Sequence, residues 1–340
     1  MRGVYTAAFL NGLLELAARE RQCGPLDIGK GFDLIVGTST GAIIACAAAK
    51  GVPMATVVEL YRERGPAIFP QRLWGDVRVL PQFITRPLNL RRGADALRHA
   101  LAEVLKDTTF ADVAQQRQIA LSIPAVEMSQ QRAWVFKTNH WGGVRDDKVT
   151  LVDACMATSA APIYRSLAAI DADDGLSGYR VFCDGGLWAN NPIMVGLLDA
   201  LKMMPDRDIQ IFAAGTVPRP TGEIIPKSKL NRGLWGWKMG GRAAELSIAA
   251  QEFAFDNMAR MFAGVLSDLG RKVDIVRFPN GKLQPSLLPY LDIDNASAKA
   301  VAALINQARE DVLLTKSACD DAADEKGKLI RALLHDLPEL

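Results

Sequence analysis

A serine flanked by small residues lies between an apolar run and a run that favours a helix. Gly37, Thr38, Ser39, Thr40 and Gly41 match the pattern G-x-S-x-G. In this pattern the serine occupies a sharp strand-to-helix turn, and small neighbours let the chain reverse and expose the hydroxyl. The preceding FDLIV predicts a buried strand and the following AIIACAAAK predicts a helix. This context favours a nucleophile for acyl transfer over a serine that only caps a helix.

A serine acts as a nucleophile only when a general base activates it. The chain has three histidines, and neither His99 nor His335 lies in a catalytic motif, whereas His140 stands in the loop NHWGG. Asp184 follows an apolar run, and a carboxylate at a strand end can reach a serine at a neighbouring strand end of the same sheet. The residues alone therefore leave two arrangements open, a Ser–His–Asp esterase and a pair formed by Ser39 and Asp184.

The expected elements place both residues at strand ends. Strands are expected at 32–36, 118–126, 133–137, 179–183 and 209–214, and helices at 4–22, 42–50, 54–65, 94–106, 150–158, 192–201, 243–268 and 297–314. Residues 66–93, which contain four prolines, are expected to be irregular. The alternation predicts an α/β fold with a mainly parallel sheet. Because Gly185 and Gly186 follow Asp184, the aspartate fits the start of a turn equally well on spacing alone.

The composition gives no support for a nucleic-acid polymer as ligand. The 340 residues carry a net charge of +2, from 40 Lys and Arg against 38 Asp and Glu, so the chain lacks the basic excess of a DNA- or RNA-binding protein. No run approaches the roughly 18–20 apolar residues of a membrane span. Contact with a membrane is therefore expected from the surface only.

The cysteines and histidines predict neither disulfides nor a metal site. The five cysteines have no C-x-x-C spacing. Cys46, Cys155 and Cys183 lie in apolar surroundings, which indicates reduced core thiols and a cytosolic location. Three histidines and these scattered cysteines offer no ligand set, so we expect no metal and no calcium requirement.

Three stretches resemble the patatin-like phospholipases. They are the serine motif at 37–41, ATSAAP at 157–162 and DGGLWANNP at 184–192. The pattern D-G-G-x-x-x-N-N-P is the most specific of the three. The resemblance covers residues 1–215 in the right order, and it implies a three-layer α/β/α fold with a mainly parallel central sheet.

The resemblance also implies catalysis by a serine–aspartate dyad that contains no histidine. Carried onto this sequence, Ser39 is the nucleophile and Asp184 is the general base, with Gly185 and Gly186 next to the base. The implied activity is a phospholipase A that cleaves acyl esters of membrane glycerophospholipids, without a cofactor.

The family carries a glycine-rich loop, D-G-G-G-x-[RK]-G, whose amides form the oxyanion hole. Only the end of this loop matches here, with Met1 in the variable place, then Arg2 and Gly3. Gly3 is expected to supply one amide and Arg2 to order the loop. The strand and glycines that the family places before this point are therefore expected to be missing. Because loss of one oxyanion donor lowers turnover about 10²–10³-fold, the 340-residue form is expected to be weakly active or inactive. A catalytically impaired sensor with the same fold is an alternative.

A finer resemblance is to bacterial patatin-like phospholipases that act in antiviral (CBASS) defence. The stretch GTSTGAIIA, followed by Ile68-Phe69-Pro70, carries it. It implies activation by a cyclic dinucleotide such as cyclic GMP-AMP, a cytoplasmic location and peripheral contact with the inner membrane. Assembly into a homo-oligomer is a further expectation, and an unregulated lipase is the alternative.

Two segments are candidates for binding the nucleotide and the membrane, respectively. Between residues 62 and 92 the chain offers basic and aromatic groups, which suit phosphates and bases but also an ordinary solvated surface. These groups are Arg62, Arg64, Arg72, Arg78, Arg91 and Arg92, with Phe69, Trp74 and Phe83.

Residues 218–241, with Trp235 and Trp237 among basic residues, fit a lid or membrane-docking loop and equally a loop folded onto the core. A catalytic domain is expected over 1–215 and a helical extension over 216–340.

Overall fold

The architecture is that of a computed structural model of the chain, which describes residues 2–68, 79–162, 164–172, 178–217, 225–233, 236–237, 241–279, 281, 284–292 and 295–340. The helices are α1 (Gly3–Arg21), α2 (Thr40–Lys50), α3 (Met54–Ile68), α4 (Val79–Leu105), α5 (Phe110–Asp112), α6 (Leu151–Thr158), α7 (Gly186–Ala189), α8 (Ile193–Met203), α9 (Gly241–Asp268), α10 (Ala298–Asp320) and α11 (Glu325–Asp336). The strands are β1 (Leu34–Val36), β2 (Ala120–Glu127), β3 (Arg132–Lys137), β4 (Ala168–Asp171), β5 (Tyr179–Asp184), β6 (Ile209–Ala214) and β7 (Val273–Phe278).

Strand β2 organises a five-stranded sheet because three strands pair with it. One edge of β2 pairs antiparallel with β3 along residues 122–127. On the opposite edge β1 pairs in parallel, with Val36 across from Ser122, and β5 pairs antiparallel, with Asp184 across from Ala125. The carboxyl ends of β1 and β5 therefore point toward each other along the same edge. Strand β4 extends the sheet beyond β5.

The α/β class is confirmed, but the expected mainly parallel sheet is observed only in part. Among the described strands, β1–β2 and the separate pair β6–β7 are parallel, while β2–β3, β2–β5 and β4–β5 are antiparallel. Strands β2 and β3 are joined by residues 128–131 alone, which cannot hold the crossover that parallel neighbours need. The short spacing between these two runs is the signal of a hairpin.

Helices cover both faces of the sheet. Helices α2 and α6 pack on the face that carries the main apolar core, and α8 packs on the other face against β1 and β6. Consecutive residues of β1 face opposite sides of the sheet. Ile35 packs against the main core, whereas Val36 faces α8, where a Cβ built on Gly196 would lie 3.3 Å from it. The three cysteines expected in the core are buried and unbridged.

The helical content exceeds the expectation between residues 66 and 93. Helix α4 begins at Val79, so the expectation of an irregular segment is wrong from there on, and residues 69–78 lie outside the described residues. Pro81 falls in the first turn of α4, where an amide has no helical acceptor and proline is tolerated. Strands β4 and β7 and helix α11 are further elements that the sequence pattern did not predict. No helix within the described residues has the length and apolar character to cross a bilayer.

The last part of the chain packs directly on the first helix. Helix α10 lies along α1, and α11 contacts both α1 and α10. At the centre of this contact the fully buried Asp311 accepts a hydrogen bond from the Tyr5 hydroxyl and one from the Gln307 amide at 3.2 Å. Strand β7 also pairs with β6 across the division expected at residue 215, which stays a prediction.

Replacing Tyr5 with phenylalanine should weaken the packing of α1 on α10. The substitution leaves the buried Asp311 carboxylate with one partner fewer, so we expect the free energy of unfolding to fall by about 1–3 kcal/mol. Urea denaturation followed by circular dichroism measures this. The control is Tyr290→Phe at a half-buried site, which should change stability by less than about 0.5 kcal/mol. Equal stability of the two variants would contradict the role given to the Tyr5–Asp311 bond.

Candidate active site

The serine motif forms a strained turn between β1 and α2. Ser39 has φ 54° and ψ −125°, a conformation that a side chain with a Cβ rarely adopts and that costs on the order of 1–3 kcal/mol. The turn is held at its base, because the Gly37 amide donates to the Ser122 carbonyl of β2 at 3.3 Å. The expected strand–turn–helix context of the serine is therefore present.

The two glycines of the motif serve different purposes. A Cβ on Gly37 would lie 2.5 Å from the Gly41 carbonyl oxygen and 2.7 Å from the Ala45 Cβ, so only glycine fits there. A Cβ on Gly41 would meet nothing within 4 Å. The expectation that both flanking positions must lack bulk is thus wrong for Gly41, which borders open space rather than packed backbone.

Ser39 and Asp184 lie in direct contact. The Ser39 hydroxyl donates to Asp184 Oδ2 at 2.8 Å, and the Gly186 amide donates to Asp184 Oδ1 at 2.7 Å. Asp184 is 6% exposed, so both carboxylate oxygens are bound in a largely dry environment. The expected pair is brought together by the meeting of β1 and β5 end to end along β2, not by strands that lie side by side.

Burial changes the acidity of this carboxyl group. Desolvation raises the pKa of Asp184 to about 6, since the interior disfavours the ionised form. The hydrogen bonds from Gly186 and Ser39 and the positive charge of Arg165 act in the opposite direction and limit the rise in pKa. A carboxylate with a pKa near 6 is a stronger base than an ordinary aspartate and is still ionised at neutral pH.

Thr158, the last residue of α6, fills the gap between the two strand ends. Its hydroxyl donates to the Pro124 carbonyl of β2 at 2.5 Å and accepts from the Ser39 amide at 3.0 Å. Its own carbonyl accepts from the Gly185 amide at 3.2 Å. One threonine therefore connects Ser39, the segment that follows Asp184, and β2. The signal for it was the stretch 157–162 in the resemblance, although no role followed from the sequence.

Gly185 is required because the chain passes directly over β2. A Cβ at this position would lie 2.1 Å from the Pro124 carbonyl oxygen. Two side-chain hydrogen bonds fix the following segment: the Trp188 indole donates to the Ala125 carbonyl of β2 at 2.8 Å, and the Thr38 hydroxyl donates to the Ala189 carbonyl at 2.7 Å. The DGGLWANNP stretch is therefore fastened both to β2 and to the nucleophile turn.

A buried arginine, Arg165, was not singled out by the sequence. It is 8% exposed and lies in the field of Asp184, and burial lowers the pKa of its guanidinium to about 10. It remains a cation at neutral pH and stabilises the ionised form of the base. No sequence motif identifies Arg165, because its charge acts on Asp184 through space and not through neighbouring residues of the sequence.

The residues expected at the oxyanion hole lie at the amino end of α1. A Cβ on Gly3 would be 2.6 Å from the Tyr61 hydroxyl oxygen and 3.0 Å from the Thr40 Cβ, so the start of α1 abuts the residue after the nucleophile. Arg2 is half-buried, and its Nε donates to the Leu291 carbonyl at 3.0 Å. Their role in binding an oxyanion stays a prediction.

The histidines lie away from this pair. All three belong to the described part of the chain, and none of them lines the cavity that Ser39 and Asp184 share. His99 and His335 are exposed. His140 lies 2.7 Å from the Thr138 hydroxyl, and its Nε2 is 3.5 Å from a carboxylate oxygen of Asp199. The geometry therefore favours the serine–aspartate pair over a triad.

The pair opens into a cavity of about 1040 Å³, at the upper end of the range for small-molecule sites. Its lining is mostly apolar and is contributed by α1, α2, β1, β6, α9 and α11. Ser39, Asp184 and Arg165 form a polar group in this lining. Within the described residues no three His, Cys, Asp or Glu side chains are placed to hold a metal ion.

Most of the residues proposed for binding the nucleotide fall outside the described residues. These are Phe69, Arg72, Trp74 and Arg78, and the side chain of Phe83 is likewise outside. Arg64 makes a two-oxygen contact with Glu103 at 2.8 and 2.9 Å, and the other arginines of the set are exposed. In the 218–241 segment, Trp235 is outside the described residues and Trp237 is half-buried.

Comparison with known proteins agrees with this geometry. Residues 1–197 match the family described as patatin-like phospholipase. A "cGAMP-activated phospholipase" of Vibrio cholerae serotype O1 is 30% identical over 91% of this chain and 86% of its own length. Proteins of the same name from Escherichia coli strain TW11681 and Pseudomonas aeruginosa strain BWHPSA011 are each 32% identical, over 76% and 77% of this chain and 71% and 72% of their own lengths.

The two glycines of the serine motif should respond differently to alanine. Gly37→Ala should lower the free energy of unfolding by about 1–3 kcal/mol, because its Cβ overlaps the Gly41 carbonyl and Ala45. Gly41→Ala should fold as the wild type does, since its Cβ enters open space. Thermal unfolding of the two variants side by side checks this, and equal losses at both positions would contradict the packing described for the turn.

Activity should depend on pH through the raised pKa of Asp184. Only the ionised carboxylate accepts the serine proton, so kcat/KM should fall as the pH drops through about 6 instead of about 4. Arg165→Gln removes a charge that lowers the pKa of Asp184, so the acid limb should move to higher pH. Arg165→Lys keeps the charge and should leave the limb near its original position.

The measurement is the pH profile of hydrolysis of a soluble ester by the three proteins. An acid limb near pH 4 in the wild type would contradict the effect of burial on the base. An identical limb in Arg165→Gln would contradict the electrostatic coupling between the arginine and Asp184.

Proposed function

The chain belongs to the patatin-like phospholipase family, and from this premise we propose that it hydrolyses acyl esters of membrane glycerophospholipids with Ser39 as nucleophile and Asp184 as general base. The observation that carries the proposal is the 2.8 Å hydrogen bond from the Ser39 hydroxyl to the buried Asp184 carboxylate. The apolar cavity next to this bond suits a fatty acyl chain.

In the first half-reaction Asp184 accepts the hydroxyl proton while Ser39 Oγ forms a bond to the ester carbonyl carbon. The carbonyl electron pair moves onto oxygen and gives a tetrahedral oxyanion. When the intermediate collapses, the bond to the glycerol oxygen breaks, and protonated Asp184 returns its proton to that oxygen. The products are a lysophospholipid and an acyl ester on Ser39.

In the second half-reaction water replaces the alcohol. Asp184 accepts a proton from the water as its oxygen attacks the acyl carbon, and the new oxyanion collapses with release of Ser39 Oγ. The serine oxygen regains its proton from Asp184, and a fatty acid leaves. The raised pKa of Asp184 suits both duties, because the group must accept and return a proton near neutral pH.

Stabilisation of the oxyanion is assigned to backbone amides at the start of two helices. Thr40 is the first residue of α2, and the amide that follows a nucleophile in such a turn is the usual donor. Gly3, the first residue of α1, abuts Thr40 and is the second candidate. Both helix dipoles place positive potential next to Ser39.

We further propose that a cyclic dinucleotide, with cyclic GMP-AMP as the first choice, activates the enzyme. The support is that the three relatives described above bear the name "cGAMP-activated phospholipase". On this proposal the protein is an antiviral effector of the cytoplasm, binds the inner membrane peripherally when active, and assembles with further copies of itself. An unregulated lipase is the alternative, and it would release fatty acid without the nucleotide.

Removing either member of the dyad should abolish hydrolysis, whereas removing a histidine should not. Ser39→Ala and Asp184→Asn should each lower kcat/KM by at least about 10³-fold. His99→Ala, His140→Ala and His335→Ala serve as matched controls and should stay within a few-fold of the wild type. Fatty-acid release from phospholipid vesicles, with and without cyclic GMP-AMP, is the measurement.

The outcomes separate the two parts of the proposal. Release that needs both Ser39 and the nucleotide supports a gated phospholipase, and release without nucleotide overturns the gating alone. Total loss in one histidine variant would favour a triad instead. Absence of release under every condition would favour the non-catalytic sensor.

A further inference from the structure

Helix α9 carries apolar residues on two opposite sides. Its inner side packs on β6, β7 and α8 through Phe255, Ala259 and Leu266. Its outer side exposes large apolar side chains at helical spacing. They are Leu246, Met258, Met261, Phe262 and Val265, with 58, 42, 73, 36 and 53% of their surface exposed. We call these five residues the outer face of α9.

A surface helix normally turns a polar side to water. In α9 the charged residues form a narrow strip instead, where Arg260 pairs with Asp256 at 3.1 Å and Asp256 pairs with Arg277. At 28 residues, α9 is about 42 Å long. The outer face covers the rise from Leu246 to Val265, about 29 Å, and an apolar surface of this length, left uncovered by the described residues, indicates an external contact.

The outer face meets the lining of the active-site cavity along one edge of α9. At this edge the Gln251 amide donates at 3.2 Å to the carbonyl of Leu187, which lines the cavity and is 39% exposed. Glu245, Ile248 and Glu252 line the cavity from the inner side of the helix, because they share its helical spacing with Phe255 and Ala259. A surface that covers the outer face therefore lies next to the cavity lining at Leu187.

The polar content of the outer face favours a lipid surface over a second protein copy. Protein interfaces carry about one hydrogen bond per 100–200 Å², and charged or polar groups fix their register. The sector around the outer face offers three polar residues before Asp268 at the helix end, Ser247, Gln251 and Asn257, and the amide of Gln251 is taken up by the Leu187 carbonyl. A bilayer needs no register, and apolar faces of amphipathic helices enter it by about 5–10 Å.

We propose that the outer face of α9 is the membrane-docking surface of this protein, and that it holds Leu187 and the adjoining cavity lining next to the leaflet that supplies the substrate. The proposal rests on the proposed phospholipase function for the identity of the substrate. It assigns docking to a helix beyond the 218–241 loop, whose residues Ile225 and Leu230 are also exposed and precede α9.

The test uses the full chain with Met261→Asp and Val265→Asp combined. A matched control combines Leu313→Asp and Leu314→Asp on α10, where the side chains are 65 and 59% exposed. Binding is measured by cosedimentation with vesicles of phosphatidylcholine and of phosphatidylethanolamine with phosphatidylglycerol, in a Ser39→Ala background and with cyclic GMP-AMP present. Hydrolysis of vesicle lipid and of a soluble short-chain ester is measured with Ser39 intact.

The α9 variant should lose at least about tenfold in apparent affinity for both vesicles and in vesicle hydrolysis, with unchanged turnover of the soluble ester. The α10 variant should match the wild type. Vesicle binding that is unchanged in the α9 variant, or absent in the wild type, overturns the proposal. Loss of a dimer in light scattering with unchanged vesicle binding would also overturn it, in favour of a second copy.

The design keeps this inference separate from the proposed function. Binding is measured on a chain that cannot hydrolyse lipid, so it decides the role of α9 even if the intact chain hydrolyses no ester. Conversely, hydrolysis that requires Ser39 but is unaffected by the α9 substitutions would leave the phospholipase in place and reject the docking surface.

Discussion

Two strands approach each other along one edge of β2, and the active site depends on how their meeting point is built. Strand β1 arrives in parallel and β5 antiparallel, so their carboxyl ends face each other across Ile123 and Pro124. Neither β1 nor β5 pairs with these two residues, and the Pro124 carbonyl accepts a hydrogen bond from the Thr158 hydroxyl instead. The chain leaves β1 through a strained turn and leaves β5 through a pair of glycines, which places a hydroxyl and a carboxylate in contact.

The pKa of Asp184 and the backbone strain of Ser39 both follow from the way this meeting point is buried and packed. An aspartate at 6% exposure loses hydration, which raises the pKa of its carboxyl group to about 6. Three nearby donors or charges, from Gly186, Ser39 and Arg165, keep it ionised at neutral pH. The strain in Ser39 is held by packing that admits no side chain at Gly37. Base strength and nucleophile exposure are thus properties of the surrounding structure, not of the two residues alone.

Local patterns in the sequence were sufficient for the class of the fold and for the two residues, Ser39 and Asp184, that the fold brings into contact. The apolar run before Gly37 and the helix after it predicted the turn around Ser39, and the resemblance carried by residues 184–192 selected Asp184 over the histidines. The arrangement of strands was less accessible, because the direction of β5 relative to β2 depends on long-range pairing. Arg165 and Thr158 escaped assignment for the same reason, since each acts across many residues of sequence.

The outer face of α9 shows another limit of pattern reading. Apolar residues over 243–268 predicted a helix, and the structure has one at Gly241–Asp268. The pattern did not reveal that only one of two apolar sides is buried, because the sequence does not specify which side meets the sheet. In the folded chain the second side is exposed, and within the described residues it adjoins the cavity lining only at the contact between Gln251 and Leu187.

The most direct test of the account is covalent labelling of the nucleophile with a fluorophosphonate, followed by peptide mass spectrometry. If Asp184 activates Ser39, the adduct should form at Ser39, its rate should rise with pH through about 6, and Asp184→Asn should suppress it. Labelling of another serine, or labelling of Ser39 at an undiminished rate in Asp184→Asn, would contradict the serine–aspartate dyad.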